Sequence, residues 1–569
     1  MTVPVESSVQ IQKKRKPSLA LTLSATGLLI AGGVGTYFLL TQGKALTRNL
    51  PPGANLIPQY ALFTFSLTTD ISQWQKLGEF GTPAAQKKLD KNLTIWRDRF
   101  LTNNGYDFQR DIQPWVGDRI TFAILAPNGN VPPAKRVSTS GEQLQEQPLV
   151  IILPIKDMTK AQQIWSEKFN ISVKPSPQTT QNMEIPIQTI KSPSGSKLST
   201  VIINQKFLAI ADNPLVIQQT INAYKSKSNL ANSAGFAENF AHVSEFRPFA
   251  QFYINIPASA QIAAAAPNRR LPAQVLAQLQ ENQGLAGTIS LKSTGIQLQG
   301  ISWLNPNSQR QLAVENQGEN MAKLLPPETL MMLSGSNLRQ LWLDYVATSK
   351  NNPFAPIAPE QLKKSIKNYV NLDFDRDVLS WMTGGFSVSV VPNLPQEGKQ
   401  EDFRAALLFM VKASDRRKAE TFFTKLNETM KAQYQFQISQ GNVAGKSVVN
   451  WIAPFGTLTA THGWLDEKTS FFVLGAPITN RIIPPSRNSL ANSQVYKNTT
   501  DSGLNPSNGR LFLDIERGIQ NFPLPNLFPY QNLILGSSHS LGVTSKVRDS
   551  RSQRYDIFLE LKRSQEAKE

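Results

Sequence analysis

Behind a basic block at 13–16, the chain from 17 to 43 carries no charge, and Leu19, Leu21, Leu23, Leu28, Leu29, Ile30, Val34, Phe38, Leu39 and Leu40 make it apolar. A bilayer core takes about 20 such residues as helix. The pattern therefore predicts a transmembrane helix over 18–42, preceded by a basic cytoplasmic tail at 1–17. Cations ahead of it, with only Lys44 and Arg48 just behind, orient the N-terminus to the cytoplasm. The run exceeds the roughly 7–15 apolar residues of a cleaved signal peptide, which favours a retained anchor, although Gly43-Lys44-Ala45 has the small-x-small form of a cleavage site. Gly27, Ala31 and Gly35 share one helix face, through which two such helices would pair as a homodimer.

After a tether at 43–56, the patterning changes to strands and amphipathic helices, and it does so twice. Residues 107–120 read D-F-Q-R-D-I-Q-P-W-V-G-D-R-I, and 373–386 read D-F-D-R-D-V-L-S-W-M-T-G-G-F, with no gap. Such internal periodicity governs the architecture. Ahead of the first motif a helix is expected over 83–101, with Thr82 as cap, Pro83 in its first turn, and Leu89, Leu93, Trp96 and Phe100 on one stripe. Its counterpart starts at Pro359, with Leu362, Ile366 and Tyr369. Each motif runs into an alternating strand, 119–126 and 386–391, and then into a polar loop. Val150-Ile151-Ile152 matches Leu408-Phe409-Met410, and Ala161, Ile164 and Trp165 match Ala419, Phe422 and Phe423. Further on, Phe207 to Ile210 parallels Phe471 to Leu474, and Tyr253 to Ile256 parallels Phe512 to Ile515. The unit is thus used at 57–304 and again at 322–563, with a linker at 305–321 and a tail at 564–569. Neighbouring strands that lack an intervening helix exclude a strict βαβ alternation. The expected class is α+β: a transmembrane helix, then two tandem copies of a mainly antiparallel sheet with helices on a face.

The repeated motif singles out Asp107, Phe108, Arg110, Asp111, Trp115 and Gly117, and in the second copy Asp373, Phe374, Arg376, Asp377, Trp381 and Gly384. Aspartate at 111 or 377 as N-cap, with glycine past the end, predicts a one-turn helix. Trp115 and Trp381 would then be core anchors, and Arg110 and Arg376 would pair with a nearby carboxylate. The competing reading makes Asp107 and Asp111 a metal or acid–base pair. Capping needs only a local partner, whereas catalysis needs further groups that the motif does not supply.

Composition narrows the chemistry. The 569 residues are 40% hydrophobic and 18% charged, with 29 Phe and 9 Trp, enough for folded domains. There is no cysteine, which excludes disulfides, thiolate zinc sites, iron–sulfur clusters and thiol nucleophiles. A net charge of +18 favours anionic neighbours such as envelope polymers or lipid headgroups. Nucleic acid is disfavoured, since no zinc finger or aromatic RNA-binding signature is present. His242, His462 and His539 are far apart and form no ligand-spaced pair, so no metal site or triad is expected. Gly441-Asn442-Val443-Ala444-Gly445-Lys446-Ser447 is one residue short of a phosphate loop, and Ser194-Gly195-Ser196-Lys197 lacks the companion motifs of penicillin-recognising enzymes. Both read as hairpin turns, and no cofactor is implied.

With its basic N-terminus, single apolar segment and a D-F-x-x-D-(apolar)-x-x-W-(apolar)-G block at Asp107, Phe108, Asp111, Ile112, Trp115, Val116 and Gly117, the chain resembles a family of uncharacterised, membrane-anchored bacterial proteins known mainly from cyanobacteria. The second copy departs from the block at Thr383, which Gly384 follows. The resemblance implies an envelope or thylakoid location, with the bulk periplasmic or lumenal, and carries no activity. The expectation is a non-enzymatic protein that binds or organises an extracytoplasmic partner. A carrier of lipid or another apolar ligand is the alternative, and an extracytoplasmic hydrolase ranks third.

Overall fold

The structure, a computed structural model, describes residues 50–564 apart from 101, 103, 104, 127–147, 170–184, 192–196, 244, 266–280, 315–320, 350–357, 395–402, 501–503 and 523–530. The strands of its first half are β1 (Ala61–Thr68), β2 (Arg119–Leu125), β3 (Leu149–Pro154), β4 (Gln188–Lys191), β5 (Lys197–Ile203), β6 (Phe207–Ala211), β7 (Ala250–Asn255), β8 (Asn282–Leu291) and β9 (Gly295–Leu304). Those of the second are β10 (Met331–Gly335), β11 (Phe386–Pro392), β12 (Ala405–Lys412), β13 (Gln437–Val443), β14 (Lys446–Ile452), β15 (Leu458–Trp464), β16 (Thr469–Gly475), β17 (Gly509–Asp514), β18 (Ser538–Val547) and β19 (Ser552–Leu561).

The pairings run 4-5-6-3-2-1-7-8-9 in the first half and 13-14-15-16-12-11-10-17-18-19 in the second, antiparallel throughout. Strand for strand the two orders are the same, and β13 at the far edge of the second has no counterpart among the described residues of the first. Two separate sheets, one per copy, are nevertheless not what forms. β9 pairs with β19 from Gly295 opposite Glu560 to Trp303 opposite Ser552. This ladder makes one 19-stranded sheet, which corrects the expected tandem of independent sheet-plus-helix domains. The physical reason is that each copy ends on a long strand whose unpaired N–H and C=O groups need a partner. The other copy's last strand meets that need. The expected membrane helix at 18–42, with its small-residue face, lies outside the described residues. Among the described residues, no helix is long and apolar enough to cross a membrane.

Helices cover both faces of this sheet rather than one. Side chains alternate along a strand, and the core clusters alternate with them. Val150 and Ile152 of β3 pack with Val216, Ile217 and Ile221 of the helix Pro214–Ser226. Ile151 and Leu153 pack on the opposite side with Trp115, Ala161 and Trp165. The second half repeats this: Leu408 and Met410 of β12 join Ile482 and Tyr496, while Phe409 and Val411 join Trp381, Ala419 and Phe423.

One sequence match needs a shift. The ladders set Ala211 of β6 opposite Val150 and Val473 of β16 opposite Leu408. Ala211 therefore corresponds to Val473, two residues from the sequence-based pairing. A slip of two keeps every side chain on its face, so hydrophobic patterning cannot detect it.

Candidate functional site

The repeated motif folds as one turn of π-helix in each copy, Phe108–Ile112 and Phe374–Val378. Its cap is the first aspartate, not the second as the spacing suggested. Asp107 Oδ1 accepts from the Arg110 N–H at 2.9 Å, and Asp111 Oδ2 reaches back to accept from the Asp107 N–H at 2.8 Å. Two free N–H groups at the turn's start are thereby satisfied reciprocally, which is the logic of a capping box. Arg110 closes the arrangement, its Nε and Nη2 donating to Asp111 Oδ1 and Oδ2 at 2.8 and 3.0 Å. Asp373 and Asp377 repeat these bonds at 2.8 and 2.9 Å. Lys425 adds a contact to Asp377 Oδ1 at 3.2 Å. Burial pushes the Asp377 carboxyl up, but the bonds from the Asp373 N–H, Arg376 and Lys425 outweigh it and hold the group at about 2.

Behind each turn stands the tryptophan. Trp115 Nε1 donates to Asp111 O at 2.8 Å and Trp381 Nε1 to Asp377 O at 3.1 Å, and neither ring is exposed. Trp115 meets Trp165 edge to face at 5.1 Å, and Trp381 packs against Phe422 at 5.5 Å and Phe423 at 6.1 Å. Gly117 and Gly384 sit where a side chain would press on Pro154 and on the Lys412 carbonyl. The motif aspartates are thus engaged in capping and ion pairing, within their own turns apart from the Lys425 contact to Asp377. Gly441 to Ser447 forms the β13–β14 hairpin, with Val443 opposite Lys446. Ser194-Gly195-Ser196 lies outside the described residues.

The histidines are dispersed. His462 lies flat on Phe423 at 4.4 Å, and its Nε2 is 2.9 Å from Asn427 Oδ1, which also accepts from Trp451 Nε1 at 2.7 Å. Burial pushes its pKa down to about 4. An unfolded chain protonates this imidazole near 6.5, whereas the folded one resists until about 4, so stability is full above 6.5 and falls as pH drops through that window. His462→Gln is expected to flatten the fall, on the order of 2–3 kcal/mol, between pH 6.5 and 4. Urea midpoints at the two pH values measure it. Among the described residues, no three His, Asp or Glu side chains gather as for a metal ion.

A second arrangement was not visible in the sequence. Following one row of cross-strand neighbours gives Thr121, Ser66, Gln251, Thr288 and Gln299, then across the join Asp556, Thr544, Arg510, Ser334 and Ser387. Every member is polar. By the ladder registers, each residue of the first half corresponds to one of the second: Thr121 to Ser387, Ser66 to Ser334, Gln251 to Arg510, Thr288 to Thr544, and Gln299 to Asp556. The row lies on the face that carries the two largest core clusters, and most of it is buried. Ser66 and Thr121 bond each other at 2.6 Å, Thr121 donates to Pro52 O and Thr288 to Val243 O, both at 2.8 Å. Thr544 Oγ1 and Ser387 Oγ have no partner among the described residues.

At the centre of the row, Asp556 is 2% exposed. Gln297 Nε2 donates to both of its oxygens at 2.9 and 3.0 Å. Burial raises its pKa to about 6, against the lowering influence of Gln297, Arg554 and Gln299. Burial likewise pushes the Arg554 guanidinium down. This is a carboxyl that changes charge within reach of neutral pH, set on the midline between the copies. An open cleft of about 600 Å³ is lined by Lys323, Lys412, Asp466, Glu467, Lys468 and Thr469 beside Met321 and Leu324.

A family model described as a protein of unknown function (DUF3352) matches residues 22–561. No curated protein matches the chain. Among solved structures, crystal form I of TP0453 is 10% identical, with a TM-score of 0.22 over 43% of this chain and 80% of that one. Crystal form IV is 9% identical, with a TM-score of 0.23 over 42% and 91%. These likenesses are too slight to carry an argument.

Proposed function

The chain belongs to the DUF3352 family of proteins of unknown function, and from that premise we propose that it serves as a binding or scaffolding protein at the cell envelope rather than as a catalyst. The β9–β19 ladder carries this reading. It joins two copies of one unit into a single body that offers two related surfaces in fixed relation, an arrangement suited to holding partners. The carboxylates of the repeated motif, the residues best placed to do chemistry twice, are spent on capping their own turns. The net charge of +18 supports an anionic setting such as the envelope.

Crosslinking in cells tests the proposal. Gln75→Cys in the first half and Leu343→Cys in the second, exposed positions that follow the matched Trp74 and Trp342, would carry a cleavable crosslinker. The same partner is expected from both halves. Unrelated captures from the two positions, or no reproducible capture from either, would overturn it.

A further inference from the structure

The registers of the second half bring several chain ends to one rim. Pro392 at the end of β11, Ala405 at the start of β12 and Gly475 at the end of β16 are ladder neighbours. The β14–β15 turn and the start of β13 lie on the same side, since Gln437 pairs with Ile452 and Ala460 with Leu474. The helix Arg416–Tyr434 ends there too, because it leads straight into β13.

This rim gathers exposed apolar side chains. Phe455, at the tip of the β14–β15 turn, is 80% exposed. Leu407 and Leu474, opposite each other on β12 and β16, are 45% and 42% exposed. Leu394, Tyr434 and Tyr369 complete the set, and Tyr434 Oη donates to Tyr369 O at 2.8 Å, which holds two helix ends side by side. They are spread along the rim, Leu407 and Leu474 as a pair, the two tyrosines as another, and Phe455 as a protrusion beside Gly456, whose φ of +90° lets the turn close tightly. Protrusions of this kind suit a fluid apolar medium better than a shaped protein groove, and tyrosine is at home where that medium meets water. Lys367 and Lys431 occupy the last turns of the two helices, and Arg404 precedes β12, all exposed. In the first half, the residue equivalent to Leu474 is Asp212, also exposed. An acidic residue there would be repelled by the surface that the second half attracts.

We propose that this rim of the second half docks on an anionic lipid bilayer, with Phe455, Leu394 and Leu474 entering the boundary between headgroups and acyl chains and Lys367, Arg404 and Lys431 facing lipid phosphates. The proposal rests on the envelope reading above, and its test uses vesicles alone, so it can fail while the crosslinking succeeds. Because the chain has no cysteine, Phe455→Cys and Glu467→Cys in the full chain each accept one polarity-sensitive fluorophore. Glu467, exposed in the β15–β16 turn at the opposite end of these strands, is the reference. The readout is local to the rim, so attachment through another part of the chain does not mimic it.

On phosphatidylcholine vesicles containing phosphatidylglycerol, the probe at 455 is expected to shift to the blue and to be shielded from iodide, while the probe at 467 stays as in buffer. Lys367→Glu with Lys431→Glu is expected to weaken the 455 response at least about tenfold, as reversal of two basic charges near an anionic surface should. A 455 probe as open to iodide as the 467 probe on these vesicles overturns the proposal and leaves the rim to a protein partner. Equal insertion into pure phosphatidylcholine overturns it as well, by removing the part assigned to charge.

Discussion

Trp381→Ala and Trp115→Ala are each expected to destabilise the chain by about 3–5 kcal/mol, the usual loss for a large aromatic removed from a packed core. Both rings are fully buried, and each also donates its indole N–H to the carbonyl four residues earlier. Truncation therefore leaves a cavity and an unsatisfied carbonyl together. Phenylalanine at either position is expected to recover most of the packing but not the hydrogen bond. Urea-denaturation midpoints followed by circular dichroism measure both effects. A loss under about 1 kcal/mol for either alanine variant would remove the tryptophans from their place as anchors of the two motif turns.

Asp556→Asn is expected to stabilise the protein at pH 8, by on the order of 3 kcal/mol, and to have little effect near pH 4. In the unfolded chain this carboxyl loses its proton near 3.9, whereas in the sheet it keeps it to about 6. Between those values the folded state holds the extra proton. Stability therefore falls as pH rises from about 4 to 6 and stays lower above that. Asparagine has the shape of the protonated acid without the charge that burial penalises. A stability difference between the two forms that does not change from pH 4 to pH 8 would mean that Asp556 is not the group responsible. The slope is opposite to that of His462, so the two substitutions separate the contributions.

What could be read from the sequence was whatever is local. The π-turn motif repeats without a gap, so Trp115 and Trp381 could be matched directly, and each occupies a like setting beneath a helix. Thr82 caps the helix Pro83–Phe100, accepting from the Ala85 N–H at 3.2 Å. Within the motif, two aspartates four apart were hard to rank as caps, because each bonds the other's turn and only coordinates show which oxygen meets which N–H. The β9–β19 join left no mark, since strand edges pair through the backbone, which is the same for every residue. The polar row was hidden for a related reason. Ser66, Thr288 and Thr544 each look like ordinary strand residues, and the row appears only once the registers are known. Asp556 gave no hint either, because with Arg554 and Glu560 it makes the side of β19 that alternation reads as solvent-facing, opposite Tyr555, Ile557 and Leu559.

The join also determines what an interrupted chain would present. A polypeptide stopped after Leu304 still pairs β9 with β8 but displays its other edge bare, along ten residues that include Ile296, Leu298 and Ile301. Such a strand is a template for another copy of itself, and the antiparallel geometry that admits β19 would admit it equally well. Nascent chains therefore carry a self-association hazard from the time β9 is made until β19, more than 240 residues later, arrives to end it.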